Sequence, residues 1–289
     1  MINPVFRKEA KTSLRNWKIF YAIAGYVLLV TLTAIVSIWQ MMYNSYYASF
    51  DPANMTNLYI GLMVLELVLV LLITPAMTGG SISGERERQT LDLLMVTKMS
   101  PFSIIIGKFM SGLSLIVLMV FATMPIFALL MYFGGTTIIY VFAVTIYMIL
   151  VCGAFGALAI FFSTVFKKTV TSIVFTYIWT GILCGGTMIL YILSCTVYGN
   201  YFNKALPLLP RVVMLAINPA IGLISIICEQ TGSSVMYNIL DLNNYFGQTY
   251  TPMTVPIPLW IINAAVLVVF ILIFLLLAAH RLKKISKKG

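Results

Sequence analysis

Ser83-Gly84-Glu85-Arg86-Glu87-Arg88-Gln89-Thr90-Leu91-Asp92-Leu93-Leu94 places five charged side chains within the eight positions 85–92, and the segments on either side are long, apolar and almost uncharged. The chain of 289 residues has only 18 basic and 8 acidic residues in all. From Glu85 to about Thr97 there is no Pro or Gly, so the stretch is predicted to be helical. Leu91, Leu94 and Met95 share one face. Glu85 and Glu87 near the start and Lys98 near the end suit the helix dipole. Two readings are open at this point. The helix is either a solvated loop that sets topology, or a surface that a soluble partner grips.

The rest of the chain decides the solvent. It is 61% hydrophobic and 9% charged, against about 25% charged in soluble domains. One aqueous-facing core cannot hide that much apolar surface, so lipid must be the solvent for most of it. A formal charge of +10 raises nucleic acid as a partner. The basic residues, however, sit in short clusters at the ends of apolar runs, which is a membrane pattern, so no nucleic-acid partner is expected. Cys152, Cys184, Cys195 and Cys228 lack metal-ligand spacing and read as small buried hydrophobes. The fold class expected is an all-α polytopic membrane protein.

Taken in order, residues 1–16 are predicted as an interfacial helix. Phe6, Ala10, Leu14 and Trp17 lie on one face, with Arg7, Lys8, Lys11 and Arg15 on the other. The first apolar run is too long for a signal-peptide core and no small-residue cleavage pattern follows, so it is expected to be retained as a span. Six transmembrane helices follow from the pattern, at about 17–39, 58–78, 109–132, 138–166, 170–198 and 259–279. Each is long enough for a hydrocarbon layer of about 30 Å. Residues 43–57 read as an outer loop, and Ser100-Pro101 as the restart of a helix after the charged stretch. Lys and Arg fall 16 of 18 on one side of this topology, only Lys204 and Arg211 being opposite. The positive side is cytoplasmic, which puts both termini on the cytoplasmic side of a cell (plasma or inner) membrane. A seventh crossing over Val212–Cys228 would destroy that asymmetry. It is also short and interrupted by Asn218-Pro219. It is predicted as a pair of re-entrant or interfacial helices within a large outer loop, 199–255. The chain reads as a single transmembrane domain, 1–289.

The chain shows no device for handling nucleotide. A phosphate-cradling loop needs Gly-x-x-x-x-Gly-Lys-Ser/Thr, and the one Gly-Lys pair, Gly107-Lys108, runs into Phe109 at the start of a span. His280 stands alone at the end of the last span. The chain is therefore not expected to be an enzyme or to hold a metal or cofactor of its own.

Gly84-Glu85-Arg86-Glu87-Arg88-Gln89-Thr90-Leu91-Asp92-Leu93-Leu94, then Thr97, Lys98, Ser100-Pro101 and Gly107-Lys108, resembles type-2 ABC transporter permeases. So does the opening Asn3-Pro4-Val5-Phe6-Arg7-Lys8-Glu9. The sequence likeness covers about thirty residues and the architecture most of the chain. Gln89 stands where that family often has Gly and Asp92 where it often has Glu; neither is expected to alter the helix. The resemblance implies that residues 84–97 form a coupling helix between the second and third spans, which docks on a separate ATPase subunit. Glu85, Arg86, Glu87 and Arg88 would supply polar contacts, and Leu91, Leu94 and Met95 would pack. ATP and Mg2+ would belong to that partner, and a second permease protomer, identical or paralogous, would complete the path.

The function this implies is that of the permease subunit of an ABC exporter for a hydrophobic or amphipathic substrate such as a lipid, drug or peptide. The alternatives are a passive channel or secondary carrier, and a membrane scaffold without transport. Glu66, the one acid placed inside a span, is either on a translocation path or a protonated structural link to a Tyr or Thr of a neighbouring helix. Gly181-x-x-x-Gly185 and the Gly153/Ala157 pair are read as sites of close helix packing within the chain, with permease dimerisation as the alternative.

Overall fold

In the computed structural model the described residues are 17–44, 52–91, 100–134, 139–202, 206–231 and 258–286. They form α1 (Trp17–Asn44), α2 (Pro52–Thr78), α3 (Ser83–Glu87), α4 (Pro101–Gly134) and α5 (Ile139–Val165). Next come α6 (Thr169–Gly181), a π turn (Ile182–Gly186), α7 (Thr187–Phe202), α8 (Leu208–Ile217), α9 (Pro219–Thr231) and α10 (Leu259–Ser286). Among the described residues six helices are long and apolar enough to cross a membrane. The expected interfacial helix, 1–16, lies outside the described residues.

Several boundaries differ from those expected. α1 runs on to Asn44 and α2 begins at Pro52, so the loop expected over 43–57 shrinks to the segment between them. α4 begins at Pro101, eight residues before the apolar run, with the Ser103 amide donating to Ser100 Oγ at 3.2 Å. Ser as cap and Pro in the first turn pre-form this start. The polar turn at Ser100 therefore feeds directly into the third span.

The chain forms two compact units, Met1–Ile178 with Val269–Gly289, and Trp179–Val268. In the first, α2, α4 and α5 pack on one another and α1 joins α2 and α4. α5 is buried along most of its length; every residue of Cys152–Ile160 is buried. Its Gly and Ala residues explain why, since small side chains let neighbouring helices approach closely. A Cβ on Gly153 would stand 3.0 Å from Ile271 Cδ1. At the lower end of this unit Ile82, Leu91, Ile104, Ile105, Phe109, Leu275, Ala278 and Leu282 form one apolar cluster.

The second unit is built around Tyr191, Cys195, Leu206, Leu215, Ile221 and Leu259. Here α8 and α9 meet at a bend of 103°, at the expected Asn218-Pro219 break. Pro219 cannot donate to the preceding turn, and the residue before a proline is driven out of the α region. Asn218 accordingly has ψ 115°. Gly181 and Gly185 were expected to serve intrachain packing. Among the described residues a Cβ on either would meet nothing within 4 Å, so no intrachain packing is found at these two glycines. The helix widens into a π turn at this point instead.

Candidate functional site: a charged elbow gripping three helices

α2 ends at Thr78 because the chain must turn where another helix crosses it. A Cβ on Gly79 would lie 2.6 Å from Pro75 O and 2.9 Å from Ile173 Cγ1, and one on Gly80 2.9 Å from Thr169 Cγ2. Only glycine fits that close approach. The chain then enters the five-residue helix α3, whose first amides need acceptors from outside. Ser163 supplies them. Its Oγ accepts from the Ile82 and Ser83 amides, both at 2.9 Å.

The helix expected over 84–97 is not continuous. It stops at Glu87, and Gln89 takes a positive φ of 58°. The Gln89 amide donates to Arg86 O at 3.2 Å and the Thr90 amide to Glu85 O at 2.9 Å. This pair of bonds is the Schellman ending, in which the residue after the cap is left-handed and is usually glycine. Gln89 occupies that position. The expectation that Gln89 leaves the helix unaltered is therefore corrected: this position ends the helix. Leu91 is buried in the apolar cluster described above. Leu94 and Met95 lie outside the described residues.

The three acidic and basic residues of α3 each reach a different helix. Glu85 accepts from Lys108 Nζ on α4 at 2.8 Å, and also from the Thr90 hydroxyl. Lys108 is itself buried. The Arg86 guanidinium donates to Thr164 O and Phe166 O, at 3.3 and 3.2 Å, at the carboxyl end of α5. Glu87 accepts from the Thr169 amide at 3.0 Å and from its hydroxyl at 2.6 Å, at the amino end of α6. A cation on terminal carbonyls and an anion on first-turn amides are the favourable pairings with helix dipoles. Arg86 and Glu87 thus clamp the Phe166-Lys167-Lys168 turn from both sides. Of the four charged side chains expected to face a partner, these three are engaged within the chain. Arg88 is exposed, at the edge of a cleft of about 480 Å³ also lined by Gly80, Gly84, Glu85, Glu87 and Thr169.

Glu66 sits elsewhere, in the body of the bundle. It is 2% exposed. Tyr26 Oη of α1 donates to its Oε1 at 3.3 Å and Thr123 Oγ1 of α4 at 2.6 Å. The expected Tyr or Thr partner is therefore both, and one carboxyl ties three spans together. A cavity of about 520 Å³ between α1 and α2 is lined by residues including Thr33, Ser37, Asn54, Asn57 and Gly61, and Glu66 is not among them.

Six apolar helices long enough to cross a membrane, with a charged elbow wired to three helices, make a multi-pass membrane protein. The family model described as ABC-2 family transporter protein matches residues 3–286, and the chain belongs to that family. It is thus the transmembrane subunit of an ABC transporter, and not the subunit that carries the ATPase. A search of the curated proteins finds no match.

Proposed function

We propose that the chain couples ATP hydrolysis on a separate subunit, which holds ATP and Mg2+, to the export of a hydrophobic or amphipathic substrate. In this reading it works in the cell or inner membrane with both termini cytoplasmic. A second permease, the same chain or a paralogue, completes the path. The elbow carries the proposal. Three consecutive residues, Glu85, Arg86 and Glu87, hold α4, α5 and α6, so a push on the elbow reaches three spans at once. Packed helices respond to such a push by hinge or shear movement. Arg88 and the segment after Gln89, with Leu94 and Met95, are the surfaces offered to the ATPase. Leu91 anchors that segment to the apolar cluster. The bent pair α8–α9 is re-entrant from the outer side, where covered backbone is tolerated at membrane depth. Glu66 serves as a structural tie and not as a substrate contact.

Copurification with a soluble ATPase, and ATPase activity that depends on this chain, test the partnership directly. Arg88→Glu, which leaves the three internal grips intact, is expected to abolish copurification with normal membrane insertion. Glu87→Gln is expected to keep the complex while weakening stimulation of its ATPase. An Arg88→Glu complex of unchanged yield and activity would remove the docking surface proposed here.

A further inference from the structure

The second unit holds a polar junction that the coupling reading does not use. In the π turn the Thr187 amide donates to Ile182 O, five residues back. The Thr187 hydroxyl takes Leu183 O at 2.6 Å. Asn218, buried to 3% exposure at the α8–α9 break, sends its Nδ2 to Cys184 O at 2.7 Å and to Thr187 Oγ1 at 3.0 Å. Its Oδ1 meanwhile caps α9 by accepting from the Ala220 amide at 3.0 Å. Asn263 of α10, 1% exposed, closes the other side. Its Nδ2 donates to Ala216 O at 2.6 Å and Asn218 O at 3.1 Å, on either side of the break.

We propose that Asn218, held in place by Asn263, is a latch that sets the register of the helix after the π turn. With the Asn218 amide on Cys184 O and Thr187 Oγ1, the wide turn is kept. On release the turn rewinds to α-helix, and each residue of an α-helix advances about 100° and 1.5 Å. The face that α7 presents therefore turns by about one residue. Tyr191 and Cys195, now buried at 0% and 2%, leave the core of this unit. Asn218 is a positioning residue for the transport cycle, acting through the fifth helix. π turns recur at functional sites. The proposal rests on the transporter reading for its purpose, but its test needs neither substrate nor ATPase, so the two can fail separately.

Asn218→Ser keeps a side chain able to cap α9 and removes both amide donors. Spin labels placed singly at positions 188–197 of the full chain in liposomes, in a background without native cysteines, report accessibility to dissolved oxygen. The parent is expected to show minima at 191 and 195. Asn218→Ser is expected to move them by one position, and deletion of Gly185 in that variant to restore them, because an α-helix one residue shorter presents the original face. If Asn218→Ser fails to insert, Thr187→Val, which removes one acceptor of the Asn218 amide, takes its place with the same expectation. Minima that stay at 191 and 195, or a loss of periodicity that the deletion does not repair, would overturn the latch.

Discussion

Replacing Glu85 by Ala leaves Lys108 Nζ where it is, without the carboxylate now 2.8 Å away. The two ends of this pair are unequal. The Lys108 side chain is 7% exposed and that of Glu85 31%. Breaking a buried pair costs about 3–5 kcal/mol when the survivor stays in the interior, whereas exposed pairs contribute about 0–1 kcal/mol. Glu85→Ala takes the carboxylate away from a charge that stays buried, so we expect a loss near the low end of the first range, about 3 kcal/mol. Lys108→Met strands a carboxylate that reaches water and keeps its Thr90 hydrogen bond; about 1 kcal/mol is expected. The double variant Glu85→Ala/Lys108→Met removes both charges and should lie close to Lys108→Met alone, because apolar replacements of buried pairs are well tolerated. Thermal unfolding of the purified protein, followed by tryptophan fluorescence, would rank the four proteins. A difference of about 2 kcal/mol is roughly a 30-fold change in the unfolding equilibrium. Equal losses in the two single variants, or a double variant as weak as their sum, would refute the reasoning.

Three further outcomes are expected. Gln89→Gly should stabilise the elbow by up to about 1 kcal/mol, since a left-handed non-glycine residue costs about 1–2 kcal/mol and glycine returns part of that in entropy; the midpoint of thermal unfolding would show it. Gly112→Ala should destabilise by about 1–3 kcal/mol, because its Cβ would stand 2.7 Å from Thr78 Cγ2, and adding Thr78→Ser, which removes that methyl and keeps the hydroxyl bond to Thr74 O, should restore the loss in the same assay. Glu66→Gln preserves an acceptor for Tyr26 and Thr123 and should leave folding and ATPase coupling unchanged, whereas Glu66→Leu should cost about 1–3 kcal/mol by taking away the acceptor of the buried Tyr26 hydroxyl, Thr123 keeping its bond to Val120 O; a coupling defect in Glu66→Gln would move Glu66 onto the path.

What could be read from the residues alone follows from the range of the forces involved. The six spans depend on local apolar length, and they stand near the expected positions. The Asn218-Pro219 break is likewise local, since proline acts on its own neighbours. Glu66 announced the class of its partner, because a lone acid in a span must find a hydroxyl or a cation. That both Tyr26 and Thr123 reach it depends on how α1, α2 and α4 pack. The elbow was the hardest to read. Its charges look like a free polar face until Lys108, Thr164 and Thr169 are brought beside it, and residues 23 to about 80 positions away give no local sign of that. The helix end at Gln89 was hidden because glutamine is not a left-handed residue by habit; the family's glycine was the one clue. The π turn was masked by its own glycines, which read as a packing motif.

The inward commitment of Glu85, Arg86 and Glu87 has a consequence for exchanging parts between permeases. A transplant of residues 83–94 alone would carry three plugs without their sockets. To retarget this subunit to another ATPase, the graft has to bring Lys108, Ser163 and the Thr164–Thr169 turn with it, or else begin after Gln89. On the docking reading proposed above, recognition and transmission lie in adjoining parts of one short segment, and only the second half is portable.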